Sequence, residues 1–156
     1  MDNLKIGIIG TGVGSTHAKV AAQFPEIFVA AICGQDSQKT QRLAGELNIP
    51  FWTIDYKKLL KQPIDIVVIA PPNDFHLPIF IEALNYKKHI ILEKPAGVNV
   101  AEIEKMITAS IFYKKTIIVN HELRFHPLLR KIKNMISNEE LGDVTLIQMS
   151  YTHNLF

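Results

Sequence analysis

The sequence has few features that would staple, anchor or disorder a chain. Cys33 is its one cysteine, which excludes an intrachain disulfide framework and suits a reducing compartment. The apolar runs are short, about five to seven residues against the ~20 a bilayer span requires, so no membrane partner is expected. No secretory signal is visible: Asp2 stands at the N-terminus and a strand-like segment comes directly after it, which makes the cytoplasm the expected location. Basic residues run from Lys5 to Lys133 without gathering into a block, and the formal net charge is only +2. A dedicated nucleic-acid surface is therefore not expected. Solenoid-period repeats and low-complexity tracts are also missing.

What is present is the composition of a globular protein with a core, 47% hydrophobic and 21% charged over 156 residues. That length holds one ordinary domain and not two. Short apolar runs alternate with longer amphipathic segments. Runs at 5–9, 28–33, 64–70, 89–92 and 116–120, with a brief segment at 50–53, read as strands. Residues 15–24, 37–47, 55–61, 77–85, 99–112 and 127–137 read as helices. The run Ile64-Asp65-Ile66-Val67-Val68-Ile69-Ala70 is almost unbroken in β-branched residues, as strands covered on both faces are. Strand–helix alternation of this kind predicts βαβ units and an α/β, Rossmann-type, doubly wound parallel sheet in three αβα layers.

A further run at 144–151 (VTLIQMSY), after a Gly142-Asp143 turn, reads as one more strand. The few residues beyond it offer no strand to pair with, and an unpaired strand is an aggregation hazard. The expected organisation is thus a dinucleotide-binding domain over 1–120, then at 121–156 a connecting helix and the first strand of a truncated second domain. The chain is expected to be a shortened or natural fragment of a longer protein.

Gly10-Thr11-Gly12-Val13-Gly14-Ser15 lies between the first strand and the first helix. A first glycine permits the tight turn, a second lets backbone approach a pyrophosphate, and the helix N-terminus offers amides and a positive dipole end. Ser15 occupies the third position of the G-x-G-x-x-G pattern, with Gly14 one place early, so the match is imperfect. A bare structural turn is the competing reading; the position between strand and helix favours a bound dinucleotide. At the end of the second strand, where NAD sites usually carry an acid, stands Gly34, with Asp36 two places on. A small residue leaves room for a 2′-phosphate within reach of Lys39 or Arg42, which tips the expectation toward NADP over NAD. Those two cations also read as solvated helix residues, and Asp36 as a helix cap.

Two further segments come after strand ends, where ligands bind in open α/β sheets: Ala70-Pro71-Pro72-Asn73 with His76, and Glu93-Lys94-Pro95. Together with the glycine turn, Lys88-His89 and the later Arg124-Phe125 with Pro127, they resemble the glucose–fructose oxidoreductase / inositol dehydrogenase (Gfo/Idh/MocA) family from about Lys5 to Tyr151. The resemblance implies that Lys94 lies beside nicotinamide and substrate, that Glu93 steadies it, and that Pro95 follows a cis bond. It also implies that Asn73 and His76 line the crevice and that Arg124 shapes the active-site floor. For His76 a helix cap, and for Arg124 an interdomain salt bridge, are equal alternatives. The implied parent reaction is reversible hydride transfer between NAD(P) and a CH–OH carbon of a sugar or polyol, in a homo-oligomer. The present chain, lacking the substrate domain, is expected to bind dinucleotide with little or no turnover. A non-catalytic dinucleotide sensor is the alternative. His17, His121 and His126 show no metal-ligand spacing, and no metal is expected.

Overall fold

The computed structural model describes residues 3–150. The chain divides into two compact units, Met1–Asn120 and His121–Phe156.

In the first unit the elements run β1 (Leu4–Ile9), α1 (Val13–Ala21), β2 (Ile27–Cys33), α2 (Ser37–Glu46), β3 (Phe51–Thr53), α3 (Tyr56–Leu60), β4 (Ile66–Ile69), α4 (His76–Asn85), β5 (His89–Glu93), α5 (Val100–Ser110) and β6 (Ile117–Asn120). All strand pairings are parallel, and the sheet order is β3-β2-β1-β4-β5-β6. This is the expected doubly wound Rossmann sheet.

Alternation along each strand feeds two cores, one per face. Ile6 and Ile8 of β1 and Val68 of β4 pack with Ala18 and Ala21 of α1 and Leu43 and Ala44 of α2. On the other face Ile9, Val67, Ile69, Ile90 and Leu92 pack with Leu59 and Leu60 of α3, Ile79 and Phe80 of α4 and Met106 of α5. Two helices therefore cover one face and three the other, which is the three-layer arrangement. Because β1 leads into α1 on one side and β4 toward α4 on the opposite side, a crevice opens where their carboxyl ends part.

Caps set several helix starts. Asp36 accepts the Lys39 amide at 2.9 Å, Asp55 that of Lys57 at 2.9 Å, and Asn99 that of Glu102 at 2.9 Å. The first helix begins at Val13, two residues before the sequence expectation, and ends at Ala21, ahead of Pro25. The Asn73–Phe75 stretch forms a 3₁₀ turn that the sequence reading passes over.

The second unit holds a 3₁₀ turn at Glu122–Phe125 and α6 (Pro127–Ser137), with Pro127 in the first turn. The Arg130 guanidinium lies 5.8 Å from the centre of the Phe125 ring. No residue of 121–150 is buried. The strand expected at 144–151 does not form over 144–150, and Tyr151 lies outside the described residues. The physical reason is the one that made it suspect: a strand gains its hydrogen bonds only from a neighbour, and none pairs with it among the described residues.

Candidate active site

The crevice between β1 and β4 is a groove of about 780 Å³, within the range of small-molecule sites. Its floor is Gly10, Thr11, Gly12 and Val13; one wall is Cys33 to Asp36 with Lys39; the other is Ala70 to Asn73 with Phe75. Of the residues expected to bind cofactor, Gly10, Thr11, Gly12, Val13, Gly34, Lys39, Ala70, Pro71 and Asn73 meet here.

The glycines have distinct duties. Gly10 has φ +116°, and a Cβ on it would run into the Ala70 carbonyl oxygen, so only glycine lets β1 turn so close to β4. Beside Gly12 there is nothing within 4 Å of where a Cβ would stand. That open space faces the start of α1, whose N-cap provides no side chain and whose first turn contains no acid. The positive helix end is left for an external anion, so the residues fit a diphosphate. Gly14 packs the helix onto the sheet, since its Cβ would sit 3.1 Å from Ile8 Cγ2. It thereby fills the role expected of the third glycine, while Ser15 turns its hydroxyl to the Gly12 carbonyl at 2.8 Å.

Gly34 departs from the sequence reading. The space beside it is already taken: a Cβ would strike Thr40 Oγ1 and come within 2.6 Å of Thr11 Cγ2. Its smallness is thus required by internal packing. Arg42 is exposed on α2 and is not part of the groove lining, whereas Lys39 is. Asp36 belongs to the lining too, with Oδ1 committed to the Lys39 amide.

Glu93 and Lys94 lie at the end of β5, one strand beyond the groove. Ile69 of β4 pairs with Leu92, which sets Glu93 alongside Ala70. Glu93 is buried, and its carboxylate collects three donors: His17 Nε2 at 2.7 Å and Asn120 Nδ2 at 2.6 Å on Oε1, and the Lys94 amide at 3.2 Å on Oε2. Burial pushes this carboxyl's pKa up, but the hydrogen bonds from Asn120, His17 and Lys94, with the His17 charge, outweigh it. The net shift is downward. Glu93 is thus a fixed anion and not a proton donor. Lys94 is exposed, and the Lys94–Pro95 bond is cis.

His76 is fully buried rather than lining the crevice. Its ring is held between two backbone carbonyls, Pro95 O at 2.8 Å from Nδ1 and Pro71 O at 3.1 Å from Nε2. Arg124 is exposed in the 3₁₀ turn of the second unit. Sequence reasoning missed His17, Ile54, Tyr56 and Phe75. The last three line the groove just past strand ends, a position that could have flagged them. His17, 76 residues from Glu93, carried no such signal. Burial and the Asp55 charge push the Cys33 thiol up to about 12. No cluster of His, Cys, Asp or Glu able to hold a metal occurs among the described residues, nor any helix long and apolar enough to cross a membrane.

Comparison with known proteins adds to this geometry. The chain is 32% identical over 146 residues to an uncharacterised oxidoreductase, YrbE, of Bacillus subtilis, covering 92% of this chain and 43% of that protein. It is 28% identical to a trans-1,2-dihydrobenzene-1,2-diol dehydrogenase of Xenopus laevis, covering 94% of this chain and 46% of that protein. Among solved structures, scyllo-inositol dehydrogenase from Lactobacillus casei with bound NAD(H) and scyllo-inositol superposes with a TM-score of 0.88 at 27% identity. That match covers 92% of this chain and 44% of the other. The chain therefore spans less than half the length of these relatives. The profile of the GFO_IDH_MocA oxidoreductase family, NAD-binding Rossmann fold, matches residues 4–121, and the chain belongs to that family.

Proposed function

We propose that this chain is the dinucleotide-binding part of a dehydrogenase that moves hydride between a nicotinamide cofactor and a CH–OH carbon of a polyol or sugar. One observation carries the reading: an uncapped helix end beside the open space at Gly12, with the fixed Glu93 and the exposed Lys94 one strand away. When bound, the nicotinamide ring gives or takes the hydride. The residues of this chain bind and orient. Amides at the start of α1 hold the diphosphate, with Asn73 and Pro71 on the opposite wall. Lys94 donates a hydrogen bond to the substrate oxygen and stabilises negative charge developing there. Glu93 anchors the segment that carries it. The polyol assignment leans on the inositol dehydrogenase likeness.

For the cofactor we infer NAD over NADP. Two of the three observations favouring a 2′-phosphate are gone, because Gly34's space is filled and Arg42 is not in the lining. Asp36 stands in the groove with a second carboxylate oxygen for a ribose hydroxyl, as NAD sites require. The sensor alternative leaves unexplained a buried carboxylate with three donors next to an exposed lysine. The 156 residues alone are proposed to bind dinucleotide and to turn over slowly or not at all.

Calorimetric titration with NADH and NADPH tests the reading. NADH is expected to bind at least about tenfold tighter, a difference of roughly 1.4 kcal/mol. Silence with both cofactors would remove the proposal, and tighter NADPH would remove the cofactor choice.

A further inference from the structure

We propose that His76 is a positioning residue for Lys94, tying the lysine segment to the wall of the dinucleotide groove. This rests on the reading of Lys94 given under Proposed function and deepens it.

The ring is fully buried at the start of α4, yet neither nitrogen serves that helix. Nε2 meets the carbonyl of Pro71, a groove residue, and Nδ1 meets the carbonyl of Pro95, the residue directly after Lys94. The second contact spans 19 residues of sequence. A carbonyl oxygen only accepts, so a ring nitrogen bonds it only when it carries the proton, and a neutral ring has one proton to offer the two carbonyls. The Pro95 contact is the shorter, 2.8 Å against 3.1 Å.

On its other side Lys94 is bounded by Glu93, itself pinned by His17 and Asn120. Lys94 is therefore an exposed side chain between two fastened neighbours. Of the two fastenings, the one through His76 also touches the groove.

The two amide side chains separate the links, because Asn places a donor near the Nδ1 position and Gln near Nε2. His76→Asn keeps the Pro95 link and loses the Pro71 link; His76→Gln does the reverse. Both variants of the full chain would be titrated with NADH, and Lys94 acetylation by an N-hydroxysuccinimide ester would be read by peptide mass spectrometry, with and without NADH. In the parent chain NADH should slow Lys94 acetylation by about tenfold, the size one charge-assisted hydrogen bond confers. His76→Asn should keep that protection within about twofold. His76→Gln should lose it while its NADH Kd stays within about threefold.

Equal protection in the two variants would overturn the proposal. NADH binding without protection in the parent chain would instead sink the placement of Lys94 by the cofactor. In that case amide hydrogen exchange at Ala96, measured without cofactor, still decides: faster exchange in His76→Gln than in His76→Asn supports positioning, and equal rates refute it. Should neither variant fold, a ¹⁵N-histidine spectrum of the parent chain takes their place. A slowly exchanging Nδ1 proton on His76 is expected, and an Nδ1 without a proton overturns the proposal.

Discussion

Replacing Glu93 by Gln should destabilise the first unit near neutral pH and have far less effect in acid. The carboxylate is buried at 6% exposure and accepts from His17, Asn120 and the Lys94 amide. Hydrogen bonds to a charged group contribute about 1.5–3 kcal/mol each. The amide keeps the shape and one acceptor oxygen, so the bonds on one edge persist at neutral strength. Its NH₂ group cannot accept from the other edge, and a buried donor is left facing a donor. The net loss is about 2–3 kcal/mol. For the sign, the folded-state pKa of Glu93 lies below its ordinary value of 4.5. The stabilisation is thus present above 4.5 and fades as pH falls through the lower folded value. Urea unfolding of both proteins at about pH 7 and again at about pH 3 measures the gap in each condition. A gap that is unchanged between the two would show that the charge on Glu93 does not stabilise the fold. A gap that widens in acid would reverse the assigned sign.

Gly10→Ala should cost about 3 kcal/mol or more, from a disfavoured positive φ together with the collision at Ala70; thermal unfolding checks it, and a near-neutral effect would mean that the turn is soft. Cys33, buried and pushed up to about 12, should resist iodoacetamide near pH 8 in the folded chain and react once urea unfolds it. Rapid native labelling, read by mass spectrometry, would contradict its burial. Asp36→Ala should lower stability by about 1 kcal/mol through loss of the α2 cap and weaken NADH binding about tenfold. Asp36→Asn should restore the stability while leaving most of the binding defect. If Asn also restores the affinity, the carboxylate's charge plays no part in ribose recognition.

The sheet was legible because each parallel strand is a short apolar run and each connection an amphipathic one, down to the nearly continuous stretch around β4. Boundaries shifted where local chemistry sets them: Gly12 lets α1 start at Val13, and strands ended where pairing stops rather than where apolar residues do. The glycine turn and the Pro-Pro-Asn wall were readable since one local segment supplies each. The surroundings of Gly34 were harder to read, because a missing side chain looks like vacant space and only the fold shows Thr40 and Thr11 beside it. His76 and His17 were opaque for a related reason. Their partners, Pro95 and Glu93, lie 19 and 76 residues away, and a single chain carries no mark of such pairings. The stretch at 144–150 has a strand's composition, yet composition alone supplies no neighbour to bond with.

The three donors on Glu93 also set an order of events during synthesis. His17 leaves the ribosome early, the acceptor 76 residues later, and Asn120 a further 27 residues on. Closing contacts this distant in sequence costs chain entropy that local contacts do not. Asn120 is also the final residue of its unit, so the nascent polypeptide cannot complete this knot until the whole unit has been translated.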